Sequence, residues 1–150
     1  MVEQKYFDDF SVGDHFVTGG ITLTESDIIN FALRYDPQPF HLDANAANES
    51  AFGGLIASGY QSLALCFRLF IQTGILTKAS MGSPGIDELR WLSPVRPGDT
   101  LHTSIEVKEV IPSMSKPDRG IVRFRYAAIN QHDEEALSFV LNHLLRRRPA

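Results

Sequence analysis

One long apolar segment, from residue 55 to residue 76, constrains the fold more than any other part of the chain. It contains no acidic residue and one basic residue, Arg68. We predict a single helix over this segment, about 30 Å long at 1.5 Å per residue. Apolar side chains cover most of its circumference, so the rest of the chain must bury it on several sides. They are Leu55, Ile56, Leu63, Leu65, Phe67, Leu69, Phe70 and Ile71.

The same segment is long enough to suggest a membrane span, but its polar side chains are too many for one. They are Ser58, Gln61, Ser62, Arg68 and Gln72. No apolar run follows a basic N-terminus, so we expect no signal peptide, and the single cysteine, Cys66, cannot form an internal disulfide. A net charge of −4 and a pI near 5.7 argue against a nucleic-acid or anionic-membrane partner. We therefore expect a cytoplasmic protein.

Alternating apolar and polar residues predict what surrounds the long helix. In the second half of the chain, turn-rich stretches separate the predicted strands 86–92, 101–110, 120–130 and 136–145. A further strand is predicted over 16–23, with Val17, Ile21 and Leu23 on one side and a bulge at the glycine pair between them. This order predicts an α+β fold: a single domain over 1–150 in which one antiparallel sheet wraps around a long central helix.

A shorter helix is predicted between the first strand and the central helix. Thr24 is suited to cap its N-terminus. Pro37 ends it, because the residue before a proline is disfavoured in the helical conformation. Its apolar stripe consists of Ile28, Phe31, Ala32 and Tyr35.

The segment 36–41, Asp-Pro-Gln-Pro-Phe-His, holds the residues best suited to chemistry. It places the carboxylate of Asp36 and the imidazole of His41 five residues apart, beside prolines that fix φ and stiffen the chain. General acid–base catalysis needs such rigidity, because proton transfer depends steeply on geometry. Fully extended, five residues span about 16 Å, so the segment must curl if both groups are to reach one water. Taken alone, the spacing is better explained by an Asp that caps a turn and a solvated His.

These residues resemble the D-x-N-P-x-H signature of the MaoC-like hydratases, also called (R)-specific enoyl-CoA hydratases. Two further stretches are similar to that family: 52–59, at the start of the central helix, and 94–101, between strands. The resemblance covers nearly the whole chain in matching order, and it implies a hot-dog fold. Two positions depart from the family pattern: Gln38 stands where Asn is common, and Ser58 stands where His is common.

The resemblance implies an acyl-CoA hydratase or dehydratase in which Asp36 and His41 bracket one water and serve as acid and base. The N–H groups of Gly59 and Tyr60, at the start of the central helix, are expected to stabilise the thioester oxygen. The absence of a side chain at Gly59 either admits the thioester or allows close packing of helix and sheet.

Substrate contacts are expected from Gln38, Ser58 and Tyr60, and also from Trp91, which either lines the acyl pocket or belongs to the core. We expect no cofactor apart from the coenzyme A of the substrate, and no metal site, because the other histidines are scattered without ligand spacing. Candidates to bind the phosphates of coenzyme A are Arg90, Arg96 and the terminal arginines.

Two alternatives remain behind the hydratase. The first is a non-catalytic hot-dog module that binds acyl-CoA or plays a structural part, which the changes at Gln38 and Ser58 keep open. The second is a hot-dog thioesterase, although such enzymes often carry a carboxylate on or beside the central helix and 55–76 has none. Because subunits of the family join edge to edge, we expect a homodimer or a dimer of dimers.

Overall fold

A computed structural model describes residues 2–150, and within them five strands form one antiparallel sheet. The strands are β1 (His15–Thr22), β2 (Gly85–Trp91), β3 (Thr100–Pro112), β4 (Arg119–Ile129) and β5 (Glu135–Arg146). The helices are α1 (Glu25–Tyr35), α2 (Pro39–Leu42), α3 (Ala44–Glu49) and α4 (Gly59–Ile71). The order in the sheet is β1-β3-β4-β5-β2, so β1 and β2 are its edges. The predicted α+β architecture is confirmed.

The central strand β4 shows why the chain forms this sheet. Val122, Phe124 and Tyr126 are fully buried on one face, while Arg123 and Arg125 project from the other. This alternation is the period of two that the sequence displays, and it directs one face of the sheet toward α4. The bounds of β2 to β5 lie within two residues of those predicted for the four strands of the second half of the chain.

The edge strand β1 differs from the prediction in the face that it buries. Its register with β3 shifts between Val17 and Gly20, which confirms the predicted bulge. Before the bulge, Phe16 packs against the core and Val17 is exposed. The prediction that Val17 shares the inner face with Ile21 and Leu23 is wrong, because the irregular register at the bulge reverses which side chains point inward.

The central helix α4 is shorter than the predicted 55–76, since it begins at Gly59 and ends at Ile71. The residues before it are not helical, because the N–H groups of Ile56 and Ala57 donate to carbonyl groups of two other segments. After it, Gly74 adopts a φ of 78°, which turns the chain away from the helix axis. No helix within residues 2–150 combines the length and apolar character needed to cross a bilayer.

One side of α4 packs on the sheet. The ring of Phe70 lies 5.7 Å, between centroids, from Phe124 and from Tyr126. Cys66 is fully buried beside it, and burial raises the pKa of its thiol to about 12. Part of the helix surface is not covered within one chain, since Tyr60 is 64% exposed and Phe67 is 37% exposed. The expectation that the rest of the chain buries the helix on several sides is therefore only partly met within one chain.

Candidate active site

The ends of α1 and α2 position the two residues predicted as the acid–base pair. Asp36 follows the last residue of α1, and its N–H donates to the carbonyl oxygen of Ala32 at 3.0 Å. Pro37 prevents a further helical turn. The chain then enters α2, a single turn with Pro39 at its first position, and this turn carries His41 back toward Asp36. The curl that the pair requires is therefore a proline-bounded helical turn.

The imidazole of His41 is held between a carboxylate and a backbone carbonyl. Its Nε2 lies 3.2 Å from Oδ2 of Asp36, and its Nδ1 lies 2.7 Å from the carbonyl oxygen of Ile56. A carbonyl oxygen can only accept, so Nδ1 carries a hydrogen. Nε2 is therefore the ring atom at which the imidazole can gain or lose a proton, and it faces a carboxylate oxygen. The side chain is 5% exposed, so the ring cannot easily reorient.

The carboxylate of Asp36 accepts from more than one neighbour. Nε2 of Gln38 donates to Oδ1 at 2.7 Å, and Oγ of Ser58 donates to Oδ2 at 2.7 Å. Burial raises the pKa of the Asp36 carboxyl, but the donors from Ser58, Gln38 and His41 outweigh it and hold the pKa below its usual value. Asp36 is therefore ionised near neutral pH.

The start of α4 lies directly behind this pair. Ser58 caps the helix, since its hydroxyl accepts from the N–H of Tyr60 at 3.2 Å while it donates to Asp36. The Tyr60 N–H, predicted as an oxyanion donor, is thus already engaged. The N–H of Gly59 is the first of the helix and has no acceptor within it, so it remains the better placed of the two predicted donors.

The indole of Trp91 lies against Gly59. Its Nε1 donates to the carbonyl oxygen of Gly59 at 2.9 Å, and a Cβ at position 59 would lie 2.6 Å from the indole atoms Cε2 and Nε1. Of the two explanations for this glycine, close packing therefore has direct structural support. Trp91 is 48% exposed, so it forms a wall of the site and is not part of the core.

A cleft of about 400 Å³ opens at the N-terminus of α4. Asp36, Gln38 and His41 line it, as do Gly59 and Tyr60. Its apolar lining includes Phe40, Phe52, Ile56, Trp91 and Leu92. Apolar walls with a few convergent polar groups are typical of a site for a small molecule.

Ser58 is the one predicted site residue that does not line the cleft. Its side chain is fully buried, and it meets the site through the carboxylate of Asp36. The structure thus places it as a support for Asp36, where the sequence predicted a substrate contact.

Phe40, Phe52 and Ile56 are among the residues of the site that sequence reasoning missed. The ring of Phe40 lies 4.5 Å from the imidazole of His41 and 5.2 Å from the ring of Phe52, between centroids. The position of Phe40 beside His41 was a usable signal for this wall. Ile56 offers no such signal, because it acts through a backbone carbonyl that every residue type carries.

The arginines considered for coenzyme A phosphates differ in their surroundings. Arg147 and Arg148 form ion pairs with Asp8 and Asp9, so two of the three terminal arginines are paired within the chain. Arg96 donates to the carbonyl oxygen of a residue that lines the cleft. Among residues 2–150, the His, Cys, Asp and Glu side chains form no group of three or more that is arranged to hold a metal ion.

Comparison with known proteins adds relatives of similar length. Residues 9–125 match the family described as MaoC like domain. The uncharacterized protein YdeM of Bacillus subtilis is 31% identical over 140 residues, 93% of this chain and 98% of YdeM. The (R)-specific enoyl-CoA hydratase of Rhodospirillum rubrum is 30% identical over 126 residues, 80% of this chain and 78% of the hydratase.

A solved structure extends the likeness to the fold. The crystal structure of the MaoC-like dehydratase from Rhodospirillum rubrum is similar with a TM-score of 0.91 at 39% identity, over 97% of this chain and 99% of that one. The hot-dog fold predicted from the motifs is thereby confirmed.

Proposed function

Because the chain belongs to the family of MaoC-like domains, we propose that it is a hydro-lyase acting on acyl-CoA thioesters. The reaction is the addition of water to a trans-2-enoyl-CoA, or the removal of water from the corresponding 3-hydroxyacyl-CoA. One observation carries the proposal: His41 Nε2 faces Asp36 Oδ2 at 3.2 Å, in a cleft that reaches the N-terminus of α4. The name of the (R)-specific enoyl-CoA hydratase, to which this chain is similar, supports the reaction class.

The pair of Asp36 and His41 is suited to move the protons that the reaction requires. In hydration, a water beside the pair loses a proton as its oxygen bonds to C3, and a proton is delivered to C2. The carbonyl of Ile56 holds Nδ1 and both side chains line the cleft, so the water is expected beside Nε2 and the carboxylate. General acid–base help of this kind contributes about 10²–10⁴-fold in rate.

Negative charge that develops on the thioester oxygen needs a donor. The N–H of Gly59 supplies one, at the positive end of the dipole of a 13-residue helix. A donor of this type contributes roughly 3–4 kcal/mol to stabilising the transition state. The aromatic walls of the cleft, including Trp91, are expected to contact the acyl chain and to exclude bulk water.

Hydration of crotonyl-CoA and of longer enoyl-CoA thioesters, followed by loss of enoyl absorbance, tests the proposal. We expect Asp36→Asn and His41→Ala to lower kcat/KM by at least about 10²-fold. His132→Ala and Asp133→Asn are matched controls, since both residues are exposed in the turn between β4 and β5. Hydration that persists unchanged in both site variants would disprove the assigned mechanism.

Binding of enoyl-CoA and release of free thiol, measured beside hydration, separate the two alternatives. The saturated hydrogen bonding of Asp36 is the observation that favours a non-catalytic acyl-CoA-binding module, and binding of enoyl-CoA without turnover would support it. Release of free thiol without hydration would support a thioesterase, although α4 carries no acidic residue.

We also propose a homodimer formed across the β2 edge, or a dimer of dimers. Apolar side chains are exposed beside that edge: Ile86 and Trp91 on β2, and Tyr60 and Phe67 on α4. An edge strand with such neighbours favours pairing with a second chain. Light scattering coupled to size-exclusion chromatography should give twice the chain mass for a homodimer, or four times for a dimer of dimers, and Phe67→Glu should shift the equilibrium toward monomer. A monomeric wild type would contradict this arrangement.

A further inference from the structure

Both oxygens of the Asp36 carboxylate accept hydrogen bonds from neighbouring side chains. Oδ1 accepts from Gln38, and Oδ2 accepts from Ser58 at 2.7 Å and faces His41 Nε2 at 3.2 Å. A proton placed on Oδ2 would point at groups that already donate to it. Protonation of Asp36 would therefore break hydrogen bonds in a site where its side chain is only 13% exposed.

Ser58 cannot turn away to accommodate such a proton. Its hydroxyl accepts from the N–H of Tyr60 at 3.2 Å, and its single hydrogen is directed to Asp36. The residue is fully buried, so water cannot take the place of either partner. Ser58 is therefore fixed from both sides as a donor to the carboxylate.

The second donor, Gln38, acts on the other oxygen. A carboxylate oxygen can only accept, so the amide nitrogen of Gln38 faces Oδ1, at 2.7 Å. Gln38 is exposed, unlike Ser58, so water can partly replace its hydrogen bond. We therefore expect its effect on Asp36 to be the smaller of the two.

We propose that Ser58 and Gln38 are positioning residues that keep Asp36 a carboxylate throughout the reaction, so that Nε2 of His41 alone carries the proton. The inference rests on the proposed hydratase function. Asp36 then orients the imidazole and balances its charge, while the serine, which cannot carry a proton near neutral pH, acts only through Asp36.

The steps balance with one proton carrier. Nε2 of His41 takes a proton from water as the water oxygen bonds to C3, and the π electrons of the C2–C3 double bond move to the thioester oxygen. The enolate then takes that proton from Nε2 at C2, and the thioester carbonyl forms again. One O–H bond and one π bond break, one C–O and one C–H bond form, and Asp36 keeps its charge.

Nε2 can take a proton from water only when it carries none, so the rate falls at low pH. A carboxylate with fewer donors attracts a proton on Nε2 more strongly. His41 is the charged group that acts on Asp36, and Tyr60 is the remaining ionisable side chain among those that line the cleft. Removing a donor to Asp36 should therefore move the acidic limb of the rate profile to higher pH.

The test compares Ser58→Ala and Gln38→Met with Ser58→Thr, which keeps the hydroxyl. Ser62→Ala is the matched control, because it removes a hydroxyl from the cleft that donates to backbone carbonyls and does not contact Asp36. Two readouts are taken: the pH dependence of kcat/KM for enoyl-CoA hydration, and NMR titration of the Asp36 carboxyl in isotope-labelled protein, assigned with Asp36→Asn.

For Ser58→Ala we expect the titration of Asp36 and the acidic limb to move upward together by about one pH unit. Gln38→Met should move both by less, while Ser58→Thr and Ser62→Ala should leave both near the wild-type positions. An Asp36 titration that is the same in wild type, Ser58→Ala and Gln38→Met would overturn the inference, whatever the rates. Because Gln38 is exposed, Gln38→Met keeps the test open if Ser58→Ala fails to fold.

The inference and the proposed function fail separately. A wild type without hydratase activity would remove the proposed function and the role of His41 as proton carrier. The NMR titration would still decide whether Ser58 and Gln38 hold the carboxylate.

Discussion

Replacing Gly59 by alanine measures how tightly Trp91 packs on α4. The new Cβ would lie 2.6 Å from Cε2 and Nε1 of the indole, closer than carbon atoms tolerate, so the ring must move. The hydrogen bond from Nε1 to the Gly59 carbonyl, 2.9 Å long, would be lost, at about 1 kcal/mol. Overpacking costs about 1–3 kcal/mol, and the lower end applies because the indole is half exposed and free to swing outward.

Alanine also stabilises a helix relative to glycine, by about 0.5–1 kcal/mol. We therefore expect Gly59→Ala to lower the free energy of unfolding by about 1 kcal/mol in the wild-type background. In a Trp91→Ala background the three atoms nearest to the new methyl group are gone, and the same change should raise the free energy of unfolding by about 0.5–1 kcal/mol. The sign of the effect thus reverses with the indole.

Urea unfolding of the four proteins, followed by far-ultraviolet circular dichroism, completes this double-mutant cycle. The same destabilisation by Gly59→Ala in both backgrounds would refute the packing argument. Hydration assays on the same proteins address the reason for the glycine. Activity lost in Gly59→Ala but regained in the double variant favours packing, whereas a folded and inactive double variant favours approach of the thioester.

Three further predictions concern stability. Gly120→Ala should lower the free energy of unfolding, measured in urea, by about 2–3 kcal/mol. The new Cβ would lie 2.7 Å from the carbonyl oxygen of Ile111 in a paired strand and would meet the buried ring of Phe7, so unchanged stability would contradict the strand packing. Burial lowers the pKa of His143 from 6.5 to about 4, so the unfolded chain binds a proton in that interval and the fold does not. The free energy of unfolding therefore keeps its full value above pH 6.5 and falls by about 3 kcal/mol as the pH is lowered to about 4. In His143→Leu this decrease between pH 6.5 and about 4 should be absent, so the pH dependence of unfolding should be flatter there. Thr24→Ala should cost about 1 kcal/mol in thermal or urea unfolding and Thr24→Ser almost nothing, because the Thr24 hydroxyl caps α1; equal losses would exclude the cap.

The sheet was predictable because burial follows sequence period. The alternation of Val122, Phe124 and Tyr126 with arginines places the strand and its buried face without knowledge of its neighbours. The start of α1 was predictable for a similar reason, since the Thr24 cap acts within one turn. These signals are local, and no tertiary contact overrides them.

Two errors, the early start of the predicted central helix and the inward side chain at Val17, arose where a distant or irregular contact decides the local conformation. Ile56 and Ala57 are apolar and continue the pattern of the helix, yet their N–H groups bond to carbonyls of other segments, so α4 begins later. Val17 has the right spacing to be buried, but the bulge in β1 turns it outward. Neither the composition nor the hydrophobic period of the sequence predicts these two conformations.

By itself, the sequence determined that a carboxylate and an imidazole share one proline-bounded segment beside an apolar helix. Only the tertiary structure decided their chemistry. Ser58, 22 residues from Asp36 along the chain, donates a hydrogen bond to the Asp36 carboxylate, and the Ile56 carbonyl binds Nδ1 of His41, which leaves Nε2 for the site. The physical reason is that burial of side chains depends on local periodicity, whereas hydrogen-bond partners across segments depend on how those segments pack. Every residue also carries the same backbone carbonyl, so the residue type at position 56 cannot reveal that its carbonyl binds His41.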